Sequence, residues 1–195
     1  MPDEPAYRIS SARTMLAQLD RRFPETGERV RAALPEETLA LVRESLSLTW
    51  IPAETHHQIA DAVYSALGER DYRALWRKVF LDMVQTPLLK PFFEATIRLF
   101  GATPAGLARW TAKGYTLATR GLGTLQLAAD DPVARRVEIE HIGYPPALAV
   151  SGAHVAGTAG SFEGYLDVTR KTGSVTVLEN TPARGYARFE IAWNE

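Results

Sequence analysis

The chain has 195 residues, 46% of them hydrophobic and 23% charged, and its 22 basic and 23 acidic residues leave a net charge of −1. That length supports one ordinary globular core without a metal or disulfide staple, and the balanced charge supplies no field for a polyanion, so no nucleic acid partner is expected. The absence of cysteine excludes disulfides, thiolate metal sites and cysteine nucleophiles, leaving histidines and carboxylates for any protein metal site.

The N-terminus, Met1-Pro2-Asp3-Glu4-Pro5, is acidic and has no apolar run, so no secretory signal is expected. No stretch reaches the roughly 20 apolar residues of a bilayer span. The sequence therefore reads as cytoplasmic. Helical spacing dominates its first two thirds. Ile9, Ala12, Leu16, Leu19 and Phe23 repeat at three and four, the stripe of an amphipathic helix ending near Pro24. A second helical stretch follows Thr26, and a third starts at Pro35 with Glu36 and Glu37 at the positive end of its dipole. Trp50-Ile51-Pro52 breaks the pattern. A helix from Ala53 to Leu67 is expected to stop at Gly68. Tyr72, Leu75, Trp76, Val79, Phe80 and Met83 stripe the next helix. Leu88, Leu89, Phe92, Phe93, Ile97, Leu99 and Phe100 are too many for one face, which predicts a central, buried helix with Pro91 in its first turn. Thr103-Pro104 forms the N-cap and first position of a helix reaching about Arg120.

The period then changes to two. Thr124 to Ala128 and Arg135 to Ile142 read as strands, with Val137, Ile139 and His141 on a buried face and Arg136, Glu138 and Glu140 on a wet one. A helix is expected from Tyr144 to about Arg170, stopped by Gly173, and two more strands at Ser174–Leu178 and Tyr186–Trp193. The order, many helices then ββαββ, predicts an α+β fold. In it an N-terminal helical subdomain packs on a four-stranded antiparallel sheet crossed by a long helix. Residues 1–33 read as a helical extension and 34–195 as a single ligand-binding-like domain.

No catalytic or metal motif stands out. His57 and Asp61 are one helical turn apart, but His56 points about 100° away, toward the face of Ile59 and Val63. An exposed His57–Asp61 pair is expected, and no metal site. His141 falls on the inner face of its strand, where a polar group needs a partner, and is the candidate polar contact of a pocket. His154 lies off the apolar stripe of its helix and reads as solvent-facing. Gly152, Ala156, Gly160 and Gly164 repeat at fours. Glycine costs about 1 kcal/mol against alanine in a helix, so such a row implies a close backbone approach to the sheet, a neighbouring helix or a second subunit. No Gly-x-Ser-x-Gly elbow or phosphate loop is present.

Leu48-Thr49-Trp50-Ile51-Pro52, the long helical run, Gly121-Leu122-Gly123, the helix bearing Gly160 and Gly164, and the terminal Phe189-Glu190-Ile191-Ala192-Trp193 carry a family resemblance. Over roughly Leu34 to Trp193 the chain resembles uncharacterised myxobacterial proteins related to the haem-nitric-oxide-binding and 4-vinyl-reductase-like ligand-binding domain superfamily. The resemblance implies a helical subdomain over a four-stranded antiparallel sheet, in a superfamily of gas-sensing haem domains, small-molecule regulators and vesicle-tethering subunits. Its haem members hold the propionates with a Tyr-x-Ser-x-Arg motif. Tyr7-Arg8-Ile9-Ser10-Ser11-Ala12-Arg13 is not that motif, and no proximal histidine is matched. No cofactor is therefore expected, haem included.

Two functions follow. The first is a non-catalytic sensory or regulatory domain holding a small apolar molecule between aromatic helices and the sheet, lined by Trp76, Phe80, Phe92, Trp110 and His141. The second is a protein-interaction or assembly subunit, self-associating as a homodimer or binding a partner protein through Gly152, Ala156, Gly160 and Gly164. An enzyme is the least favoured reading.

Overall fold

A computed structural model describes residues 4–194. The strand β4 (Thr124–Asp131) pairs with β5 (Arg136–Ile142), and β6 (Gly173–Thr181) pairs with β7 (Tyr186–Trp193). The two hairpins join through β5 and β7 into one antiparallel sheet of order β4-β5-β7-β6. Its register aligns Val137 with Ile191, Ile139 with Phe189 and His141 with Ala187. These six side chains are buried, whereas Glu138 and Arg188 form an ion pair on the other face. The alternation expected for residues 135–142 is realised, because one face of the sheet is covered and the other meets water.

What covers the inner face is α7 (Ala153–Thr169). Phe162 stacks edge-on against Phe189 at 5.3 Å. The opposite side of α7 crosses α4 (Ala53–Met83), so α7 is buried nearly all round. Its small residues explain the close crossing. A side chain at Gly160 would strike the carbonyl of Arg73, and one at Gly157 would come within 3.1 Å of the Trp76 indole nitrogen. Arg73 and Arg77 of α4 pair with Glu163 and Asp167 of α7, which fixes the two helices in register. The helix starts later than expected: Pro146–Ala149 is a 3-10 turn, and Gly152, at φ +79, reverses the chain before it.

The remaining helices are α1 (Ile9–Arg22), α2 (Pro24–Ala33), α3 (Glu36–Glu44), α5 (Lys90–Phe100) and α6 (Pro104–Ala118). Gly68, at φ +74, interrupts α4 where the stop was expected, and the chain resumes helical geometry immediately. Three very short strands form a second sheet: β1 (Ala6–Arg8) lies between β2 (Trp50–Pro52) and β3 (Thr119–Arg120). Ile9, Met15 and Leu16 of α1 share one hydrophobic core with Ile59, Val63 and Leu75 of α4.

One helix departs from its expectation. Residues 90–100 do not form a central helix: Phe93 and Thr96 are buried, but Phe92 is 43% and Leu99 is 75% exposed. A helix apolar on all sides was read as buried on all sides, yet only one side meets α6. Among the described residues, no helix is long and apolar enough to cross a membrane.

Candidate functional site

The covering helices leave a space between them. A cavity of about 150 Å³ lies among α4, α6 and α7 beside β1. Trp76, Phe80 and Met83 come from α4, Trp110, Gly114 and Tyr115 from α6, and His154, Gly157 and Tyr165 from α7. Tyr7 of β1 and His56 and His57 of α4 close one end. No lysine, arginine, aspartate or glutamate is among the residues lining it.

Each functional side chain arrives there for a local reason. His56 sits one turn before Ile59 and Ala60 and two turns before Val63, the buried stripe of α4, so its ring is carried inward. Tyr7 is on the inner face of β1 between Ile51 and Thr119, and its ring stacks on that of His56 at 3.9 Å and 14°. Gly114 has no side chain because the Trp110 indole, one turn earlier on α6, occupies that space.

A hydrogen-bonded chain runs along the wall. The Leu122 carbonyl can only accept, so His141 donates to it through Nε2 at 2.9 Å. That leaves His141 Nδ1 as the acceptor for His154 Nε2–H at 3.3 Å, and His154 Nδ1 in turn accepts from the Tyr7 hydroxyl at 3.2 Å. Both rings are neutral. Burial lowers the His141 pKa to about 4 against the pull of the Leu122 bond. Burial, with repulsion from His141, His57 and His56, holds His154 well below its ordinary value. Burial likewise lowers His56 to about 3, assisted by His57.

His56 is only 3% exposed, and its Nε2 has no hydrogen-bond partner; nor does the Trp110 indole N–H. A buried polar atom left unpaired costs about 1–3 kcal/mol, and both belong to residues that line the cavity. His57 differs: its Nε2 lies 3.2 Å from Asp61 Oδ2, though misaligned for a hydrogen bond. The site thus presents aromatic walls and four lining residues whose buried nitrogens lack hydrogen bonds, His56, His57, Trp76 and Trp110, which suits a largely apolar ligand with a polar or metal centre.

Of the residues singled out in the sequence, Trp76, Phe80 and Trp110 line this cavity. Phe92 does not; it faces solvent on α5. His141 is buried but stands behind His154 rather than on the cavity wall. His154, expected at the surface, is 8% exposed and belongs to the wall. Gly160 and Gly164 pack on Arg73, Trp76 and Phe80 of α4, Gly152 reverses the chain beside Tyr64, and Ala156 is buried. The row is therefore internal to the chain and offers no open face to a second subunit. Tyr7, His56 and Thr111 of the lining were missed as pocket residues, because β1 is too short to show a period and helix faces alone do not reveal a gap.

No family model matches the chain, and no curated protein matches it by sequence. Solved structures do match its fold. An unliganded Fe(II) H-NOX protein from K. algicida shares 11% identity at a TM-score of 0.66, covering 96% of this chain and 97% of that one. An H-NOX structure from work on haem distortion in that family shares 14% at 0.63, covering 96% and 95%. An oxygen-binding H-NOX domain related to soluble guanylate cyclases, in complex with oxygen, shares 15% at 0.59, covering 93% and 92%. The chain thus shares the fold of these H-NOX structures, the fold that the sequence resemblance implied.

The expectation that no cofactor, haem included, is involved is overturned by these neighbours, which are haem proteins by description. The residues fit such a group at its centre and faces: a neutral buried imidazole with a free nitrogen, and flat aromatic walls. Among the described residues, no three His, Asp or Glu converge on one point, so a metal here would bring most of its ligands with it, as a macrocycle does. The departure is at the acidic edge, where the lining provides no cation and the sequence contains no Tyr-x-Ser-x-Arg.

Proposed function

We propose that this chain is a cytoplasmic sensory or regulatory domain whose α4–α6–α7 cavity holds a haem. The observation that carries the reading is an aromatic-walled cavity whose lining has no Lys, Arg, Asp or Glu and includes a buried imidazole and an indole whose nitrogens lack hydrogen-bond partners. The likeness of fold to haem-binding H-NOX structures supports the choice of occupant. A bound haem supplies an iron centre able to take a diatomic gas, with reactivity set by the polarity around it.

The protein's part is confinement. Trp76, Phe80 and Trp110 would keep water from the bound group, and the Tyr7–His154–His141–Leu122 chain would support one wall. With no carboxylate, lysine or arginine lining the cavity, it has no strong acid–base pair for turnover, which favours binding over catalysis. The test is titration of the purified protein with haemin, following the Soret band and the melting temperature. One equivalent bound, with a shifted Soret band and higher stability, is expected; a hundredfold excess over the dissociation constant adds about 2.7 kcal/mol. A Soret band identical to free haemin, with no gain in stability, refutes the proposal.

A further inference from the structure

We infer that His56 Nε2 is the histidine nitrogen that ligates the iron, with Tyr7 as its positioning residue. The inference rests on the haem reading above and goes beyond it by assigning the ligand. The chain has four histidines, at 56, 57, 141 and 154, so α5 and α6 supply none. Both ring nitrogens of His141 are engaged, one by the Leu122 carbonyl and one by His154. Both of His154 are engaged as well, one by His141 and one by the Tyr7 hydroxyl. Freeing either breaks a chain of bonds three members long. His57 lies against the Asp61 carboxylate, one turn along α4. His56 alone combines burial, a place on the cavity wall and an unpartnered nitrogen.

Its ring is also held in orientation. Tyr7 lies flat against one face, and Trp76 approaches at 6.2 Å and 50°. The hydroxyl of Tyr7 is anchored on His154, so the stack transmits the rigidity of the wall to the candidate ligand. A metal-binding histidine commonly has its ring direction fixed by a hydrogen bond from the other ring nitrogen; here the stack on Tyr7 would take that part.

The experiment loads the wild-type chain and the variants His56→Ala, His56→Phe and His57→Ala with haemin and reduces them anaerobically with dithionite. It reads the Soret position of the ferric and ferrous forms and the iron–histidine stretch of the ferrous form by resonance Raman, with circular dichroism to check folding. The Phe variant keeps an aromatic ring on Tyr7 while removing the nitrogen. The expected result is an iron–histidine band in wild type and His57→Ala, its loss in both His56 variants, and its return in His56→Ala on adding millimolar imidazole. An unchanged band in a folded His56 variant, or its loss in His57→Ala, overturns the assignment while leaving the haem reading intact. Wild type that takes up no haemin overturns that reading, and the assignment with it.

Discussion

Adding one methyl group at Gly160 tests how tightly the cavity's roof is built. Alanine in place of glycine raises helix propensity by about 1 kcal/mol, so on an open face Gly160→Ala would stabilise the protein. Here the new carbon would lie 2.9 Å from Trp76 Cβ and 3.0 Å from Arg73 Cα, and nearer still to the Arg73 carbonyl oxygen. The obstruction is backbone and cannot swing aside. Moving α4 away would also stretch the Arg73–Glu163 pair, now at 2.6 Å. Overpacking costs typically 1–3 kcal/mol. Taking the upper end for a backbone clash and subtracting the propensity gain leaves a loss of about 2 kcal/mol, a fall in Tm of roughly 4–8 °C for a chain of this size. Urea unfolding followed by circular dichroism measures it. Gly27→Ala is the comparison, since its methyl would meet first the Asp20 carboxylate, which can shift only by loosening its bonds to Arg31, and a smaller loss than at Gly160 is expected. If Gly160→Ala is as stable as wild type, the close approach of α4 and α7 is wrong. If it instead converts a dimer to a stable monomer, the row is an interface after all.

Two further outcomes follow from the site. His141, at about 4 when folded and near 6.5 when unfolded, takes up its proton more readily in the unfolded chain. The contribution of His141 to stability should therefore be flat above about pH 7, decline as pH falls through 6.5, and level off near 4, a loss of about 3 kcal/mol, to which the buried His56 and His154 add losses of the same sign. His141→Gln should reduce that slope in urea titrations across pH, and an unchanged slope would show that the ring is not buried neutral. Trp110→Phe removes the unpartnered N–H while keeping the aromatic wall; stability of the empty protein should hold within about 1 kcal/mol. If ligand affinity and spectrum also remain unchanged, the indole N–H makes no bond to the occupant.

The sheet was legible because its two faces differ: Val137, Ile139 and His141 alternate with Arg136, Glu138 and Glu140, and only one set is buried. The inward direction of His56 was legible for the same reason, through its spacing to Ile59 and Val63. His154 was misplaced because α7 has no wet face. Its outer stripe is glycine and alanine, which carry little hydrophobic signal. The sign that it is buried all round lies in its charges: Glu163 and Asp167 alone, both turned to arginines of α4. Residues 90–100 misled in the opposite way, being apolar on faces that nothing covers. The strands β1, β2 and β3, two or three residues each, are too short for any period, so the site's Tyr7 wall had no sequence signature. Haem was set aside for lack of a motif, while the group that fits it is a single histidine whose free nitrogen only the packing reveals.

The most direct test of the account is native mass spectrometry of the protein expressed with a haem precursor, repeated after denaturation. One haem per chain, released on unfolding, is the predicted result. A folded protein that carries no added mass under those conditions, and gains none when haemin is supplied, contradicts it.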